Sequence, residues 1–199
     1  MRRTARHLRG GSDGNEQLVV IAGAALLVAL AVEGATLLHI RSLLTVHVFV
    51  GVLLIPIVAL KLAATGWRAL RYYLGDEEYV RRGPPHLFMR VLVAPVVALS
   101  TITLLATGVG LMVSGRTHGP IAGLHKASFV VWFPAMSIHV LAHLGKLVSK
   151  LPRPLPGLGL RIAAVCAVVV AGVGAAVLTL PAADHLQDRV TSHAGFDGR

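Results

Sequence analysis

The sequence predicts an all-α fold, a polytopic membrane helical bundle of about five transmembrane helices. Three observations carry this expectation. Of the 199 residues, 55% are hydrophobic and only 14% are charged, and mean hydropathy is +0.72, which is the composition of an integral membrane protein. Five apolar runs reach the roughly 20 residues that a helix needs to cross a bilayer. None alternates with the dyad period of a barrel strand, and a backbone in lipid must satisfy its own hydrogen bonds, so each run is expected as a helix.

The first span, about 18–38, follows MRRTARHLRG. A basic start before an apolar stretch is also how a signal peptide begins, but this stretch is long enough to cross and is read as a retained helix. The remaining spans are about 43–65, 88–113, 125–148 and 161–180, leaving a cytoplasmic segment 1–17 and a polar tail 181–199. Pro181 opens that tail, which is expected to be mobile and extracytoplasmic. Between the second and third spans lies GWRALRYYLGDEEYVRRGPPH, an amphipathic connection expected on the cytoplasmic surface with Trp67, Tyr72 and Tyr73 as anchors. Its acidic trio, Asp76, Glu77 and Glu78, reads as a solvated face, and Pro84-Pro85 stiffens the entry into the third span. LPRPLPGLG reads as a stiff linker into the fifth span.

The net charge of +10 would suggest nucleic acid as a partner in a soluble protein. Here the basic residues are confined to short segments between apolar runs, which is a topology signal and argues against a nucleic-acid partner. Arg2, Arg3, Arg6 and Arg9 precede the first span; Arg68, Arg71, Arg81 and Arg82 follow the second; Lys146, Lys150, Arg153 and Arg161 flank the last connection. Positive charge inside then predicts an N-terminus in the cytoplasm and a C-terminus outside. The second and fourth spans therefore run parallel, from outside to inside. Cys166 is the single cysteine, so no internal disulfide, CxxC pair or thiolate zinc site is available.

A weak internal repeat relates those two parallel spans. HVFVGVLLIPIVALKLAATGWR aligns without a gap on HKASFVVWFPAMSIHVLAHLGK, matching His47 with His125, Pro56 with Pro134, and Lys61 with His139. In each span the third position follows the first by fourteen residues. That spacing advances a helix by about 21 Å and returns within about 40° of the same face. Polar groups thus recur at two depths on one side of each helix. An imidazole in lipid is costly without a partner, so such histidines tend to face the bundle interior or a cofactor.

Two neutral imidazoles from facing helices can clamp one flat haem between them, and a second pair about 20 Å deeper would hold another. Zinc suits the pattern less, because it needs about four clustered ligands. At the outer level the pair is His47 and His125, with Gly51 one turn below His47 leaving room for a ring; the bland reading is interfacial histidines and a small-residue packing contact. At the inner level His139 faces Lys61, a poor iron ligand while protonated, so His86 is the candidate partner of either His139 or His143, which lie one turn apart. Lys61 and Arg90 can neutralise haem propionates, or snorkel to the interface. Glu33, near the outer end of the first span, can take a quinol proton or simply be solvated; Gly108 and Gly110 read as helix-packing positions.

LHKASFVVWFPAMSIHVLAHL, together with HVFVG and LLATGVGLMVSG, resembles bacterial membrane-embedded dihaem b-type cytochromes, including the cytochrome subunits of formate dehydrogenases and hydrogenases. The resemblance covers roughly residues 40–148. It implies a four-helix haem-binding core carrying b haems, one or two here, and electron relay between a quinone pool and a redox partner protein. It implies His47 and His125 as outer ligands and His139 as an inner ligand. In that group the other inner ligand commonly comes from the first helix, which here has no histidine in its cytoplasmic half. With no flavin or nucleotide motif, the chain is expected to be an electron-transfer subunit rather than a complete enzyme. The contrasting expectation is a haem-free scaffold or small transporter using histidines for helix packing or proton transfer.

Overall fold

The computed structural model describes residues 11–83, 87–150 and 155–196. Helix α1, Gly11–Thr36, ends in a 3₁₀ turn, Leu37–His39, and a short reversal leads into α2, Leu44–Tyr73. A one-turn helix, Glu77–Val80, and a π-helical turn, Met89–Val93, precede α3, Ala94–Ser114; α4, Pro120–Lys150, and α5, Leu158–Phe196, follow. Five of these helices are long and apolar enough to cross a membrane. The chain is an all-α, multi-pass membrane bundle with no strand among the described residues.

The apolar side chains face outward as well as inward. Val28, Leu99, Val130, Leu141, Val170 and Leu178 are all largely exposed, Leu178 to 84%, and in a bilayer that surface meets lipid tails. Helices in such a solvent gain little from burying leucine against leucine, so close approach of backbones matters more. The α2–α5 contact shows this: a Cβ placed on Gly172 would come within 2.7 Å of the Leu53 carbonyl oxygen and 3.0 Å of the Pro56 ring. Only glycine fits there, and Ala176, one turn on, is fully buried. Leu26, Val50, Leu54 and Ile57 form the neighbouring apolar cluster between α1 and α2.

Two antiparallel hairpins, α1–α2 and α3–α4, pack side by side, with α2 touching α3 and α1 touching α4. They close a four-helix ring in which neither diagonal pair, α2/α4 or α1/α3, forms a packed interface. Helix α5 lies outside the ring against α2, also reaching α1 and α3. Both hairpin turns lie at one end of the bundle and the longer connections at the other.

Several helices exceed their expected bounds because polar residues at their ends find partners. At the long-connection end, Glu78 accepts the Ser12 backbone N–H at 2.6 Å, Asn15 donates to the Ala64 carbonyl at 3.0 Å, and Arg161 donates to Gln17 at 2.7 Å. Arg82 pairs there with Asp13 and, at 2.8 Å, with Glu16. Helix α1 is therefore already helical at Gly11 rather than starting near residue 18. The first part of the amphipathic connection expected on the membrane surface, Gly66 to Tyr73, is likewise the last two turns of α2, with Arg71 stacked 5.5 Å from the centroid of Trp67.

The expected mobile tail is corrected most clearly. Pro181 does not stop α5, which continues to Phe196. Gln187 supplies the reason: its Oε1 accepts the N–H groups of Leu44 and Thr45 at 2.8 and 3.2 Å, capping the otherwise unsatisfied first turn of α2. Its amide donates to the Arg41 carbonyl, and Thr45 donates to Asp184 at 3.0 Å. Gly115 ends α3 in the left-handed conformation at φ 61°, and its carbonyl receives Arg189 at 3.0 Å. The polar end of α5 thus docks over both hairpin turns.

Candidate functional site

The unpacked α2/α4 diagonal carries both polar levels. His47 sits in the first turn of α2 and His125 in the second turn of α4, both half-buried and within electrostatic reach of each other. Fourteen residues further along each helix, Lys61 and His139 are likewise within reach across the diagonal. The repeat and the bundle therefore agree on two levels.

At the first level each ring is held by a threonine from the partner helix of its own hairpin. Thr36 donates its hydroxyl proton to the Glu33 carbonyl at 2.6 Å, so the contact between Thr36 Oγ1 and His47 Nδ1 at 3.0 Å needs its proton from the imidazole. Glu33 Oε1 lies against the same nitrogen, also at 3.0 Å. Across the diagonal, Thr107 donates to the Thr103 carbonyl at 2.6 Å and accepts from His125 Nδ1 at 3.0 Å. The Leu104 carbonyl lies 3.2 Å from that nitrogen and can only accept. Both imidazoles are thereby fixed as Nδ1–H tautomers with the Nε2 lone pair bare.

Glycines shape this level differently from expectation. Gly51 faces Glu33, whose Oε1 lies 3.6 Å from a Cβ built at that position, an ordinary contact distance. Gly108, expected only to ease helix packing, lies under the His125 ring, with Cε1 at 3.4 Å from such a Cβ. Trp132 follows the same donor logic two turns along α4, between the levels, giving its N–H at 2.9 Å to Thr101, whose own proton goes to the Val97 carbonyl at 2.6 Å.

The second level is built otherwise. His139 and His143 stack with ring centroids 4.5 Å apart, and His143 Nδ1 donates to the His139 carbonyl at 2.9 Å. The two histidines expected to compete for one position thus form a single stack. Lys61 reaches toward α1, its Nζ 3.1 Å from where a Cβ on Gly23 would stand. Arg90 is turned to the end of α2, over Tyr72 and Tyr73 at 5.9 and 5.4 Å, not toward the stack. His86 lies outside the described residues. Among the described residues no three His, Cys, Asp or Glu side chains converge, so the donors come as pairs and not as a tetrahedral cluster.

No protein family, characterised protein or solved structure matches this chain.

Thr36, Thr107 and Gly108 are the site residues that sequence reasoning missed. A signal existed. Residues equally distant from a tight turn meet across a hairpin, and Glu33 and His47 each lie seven positions from Ile40, while Thr107 and His125 each lie nine from Arg116.

Proposed function

We propose that the chain is a membrane-embedded b-type cytochrome of the bacterial cytoplasmic membrane. It relays electrons between a quinone pool and a redox partner protein through haem held at the His47–His125 level, with the N-terminus in the cytoplasm and the C-terminus outside. One observation carries the reading: two imidazoles on diagonally opposed helices each commit Nδ1–H to their own hairpin and leave Nε2 bare. Axial ligation requires that presentation, since a metal-binding imidazole characteristically donates its other N–H to a carboxylate, carbonyl or similar acceptor.

The residues present fit the group. Bound haem b supplies one-electron chemistry. The protein's own contributions are orientation and exclusion of water: Thr36 and Thr107 set the ring planes, Gly108 leaves space beside His125, and the lipid-facing leucines and valines keep the level dry. The docked end of α5 covers the hairpin turns above it. At the second level the described residues provide His139 and His143 on one side and an amine on the other; a second haem there would need a further ligand, for which His86, outside the described residues, is the candidate.

A haem-free scaffold or small transporter is the second reading, favoured by the Thr36–Glu33–His47 cluster acting as polar glue between helices. Pigment separates the two. Protein purified after expression with adequate haem is expected to show a Soret band and reduced b-type absorption, whereas folded colourless protein sinks the cytochrome reading.

A further inference from the structure

The carboxylates at the long-connection end of the bundle are already engaged. Asp76 pairs with Arg71, Glu77 with Arg81, and both Asp13 and Glu16 with Arg82, while Glu78 accepts the Ser12 N–H. Among the described residues, neither Arg68 nor Arg90 has a carboxylate within ion-pair distance. Aromatic rings hold Arg90 instead, its guanidinium lying 5.9 and 5.4 Å from the centroids of Tyr72 and Tyr73. A guanidinium carries five N–H donors in its plane, so stacking leaves its edge free for an anion. Arg68 stands one turn before Tyr72 on the same side of α2. The surface around these cations is apolar: Leu70 and Tyr73 on α2, and Leu87 and Phe88 before the π-helical turn that carries Arg90, are all exposed. Tyr73 is the last residue of one membrane span and Met89 the first of the next, which is the depth at which aromatic side chains meet lipid headgroups.

We propose that Arg68, Arg90 and the apolar surface beside them form a binding site for one anionic phospholipid of the leaflet at the long-connection end. Its headgroup phosphate takes the free edge of the Arg90 guanidinium, with Arg68 as the second cation, and its acyl chains lie along Leu87 and Phe88. Charge complementarity selects this occupant: the protein leaves two cations uncompensated at headgroup depth, and a phosphate accepts two parallel N–H bonds from a guanidinium. A zwitterionic lipid offers the same phosphate but brings its own cation, so it answers only one of the two arginines. The Tyr72 and Tyr73 rings fix the plane of the Arg90 fork, so less freedom is lost when the phosphate binds. Simple snorkelling needs only a reach to water and gains nothing from a second cation. The site depends on the multi-pass bundle and not on haem.

The test is native mass spectrometry of the full chain in neutral detergent, titrated with dioleoylphosphatidylglycerol, dioleoylphosphatidylcholine or inorganic phosphate. The expected result is one phosphatidylglycerol retained in preference to phosphatidylcholine and not displaced by inorganic phosphate. A basic residue near an anionic lipid surface contributes on the order of fivefold to binding, so Arg68→Gln and Arg90→Gln are each expected to weaken phosphatidylglycerol about fivefold. Arg81→Gln, at an exposed arginine already paired with Glu77, is expected to leave it unchanged. Equal retention of the two lipids overturns the proposal and leaves the surface to an acidic partner protein. Displacement by inorganic phosphate, wild-type affinity in the Arg68→Gln variant, or an equal loss in Arg81→Gln also overturns it. Should Arg90→Gln fail to fold, Arg90→Lys keeps the charge without the fork and is expected to bind more weakly than wild type; wild-type affinity there overturns the role given to the guanidinium. Lipid-selective protein that carries no haem would reject the cytochrome reading and leave this site standing.

Discussion

The His47–His125 level and the Lys61–His139–His143 level sit at matching offsets on the same two helices, yet they are finished differently. The first has one imidazole per helix, each locked by a hydroxyl that spends its own proton on a backbone carbonyl. The second has two imidazoles on one helix, stacked on each other, and an amine on the other directed at Gly23. A repeated spacing therefore creates two opportunities, and the residues around each decide what is built. The first level lies close to tight hairpin turns that bring α1 to His47 and α3 to His125. The second lies near the middle and far end of the bundle, where its histidines find each other.

Removing a first-level imidazole should separate the two levels with the largest effect. His125→Ala is expected to abolish the haem absorption of that level, whereas His143→Ala is expected to leave it intact; equal losses would erase the distinction between levels. A weaker perturbation is Thr107→Val, which removes one Nδ1 acceptor but leaves the Leu104 carbonyl. Loss of a group that orients a metal ligand typically weakens metal binding by about 10–100-fold, and with one acceptor remaining a loss near the low end is expected in a haem titration of the apoprotein. A haem affinity equal to wild type would show that the threonine does not position the ring.

Packing and capping come next. Gly172→Ala forces a methyl group against the Leu53 carbonyl, and overpacking of this kind costs about 1–3 kcal/mol. It is expected to lower the thermal unfolding temperature in detergent without moving the visible spectrum. Gln187→Ala uncaps α2 just above His47, and a lost N-terminal cap costs about 1 kcal/mol. A smaller fall in unfolding temperature is expected, with easier proteolysis of the freed end of α5; an unfolding curve and digestion pattern identical to wild type would show that the cap is dispensable.

Much of this is legible in the sequence, and the rest is hidden for identifiable reasons. Apolar runs of spanning length mark all five helices, because lipid leaves an isolated backbone few alternatives. The aligned histidines and prolines mark two levels, because a helix repeats its faces at fixed intervals. Helix ends depart from expectation where polar residues find distant partners, as Gln187 does with Leu44 and Glu78 with Ser12. Pro181 looks like a stop because proline removes only local hydrogen bonding, whereas the docking beyond it joins residues about 140 positions apart. Thr36 and Thr107 look like ordinary polar residues in an apolar run until the hairpin register sets them opposite histidines. Gly108 reads as a helix-packing position, and the packing proves to be against the ring of His125.

Whether His47 and His125 serve one shared haem is decided by pyridine haemochrome analysis of wild type, His47→Ala, His125→Ala and the double variant. Each single variant and the double variant are predicted to lose the same one equivalent of haem per chain. Additive loss in the double variant, or full haem content in either single variant, would contradict a shared site.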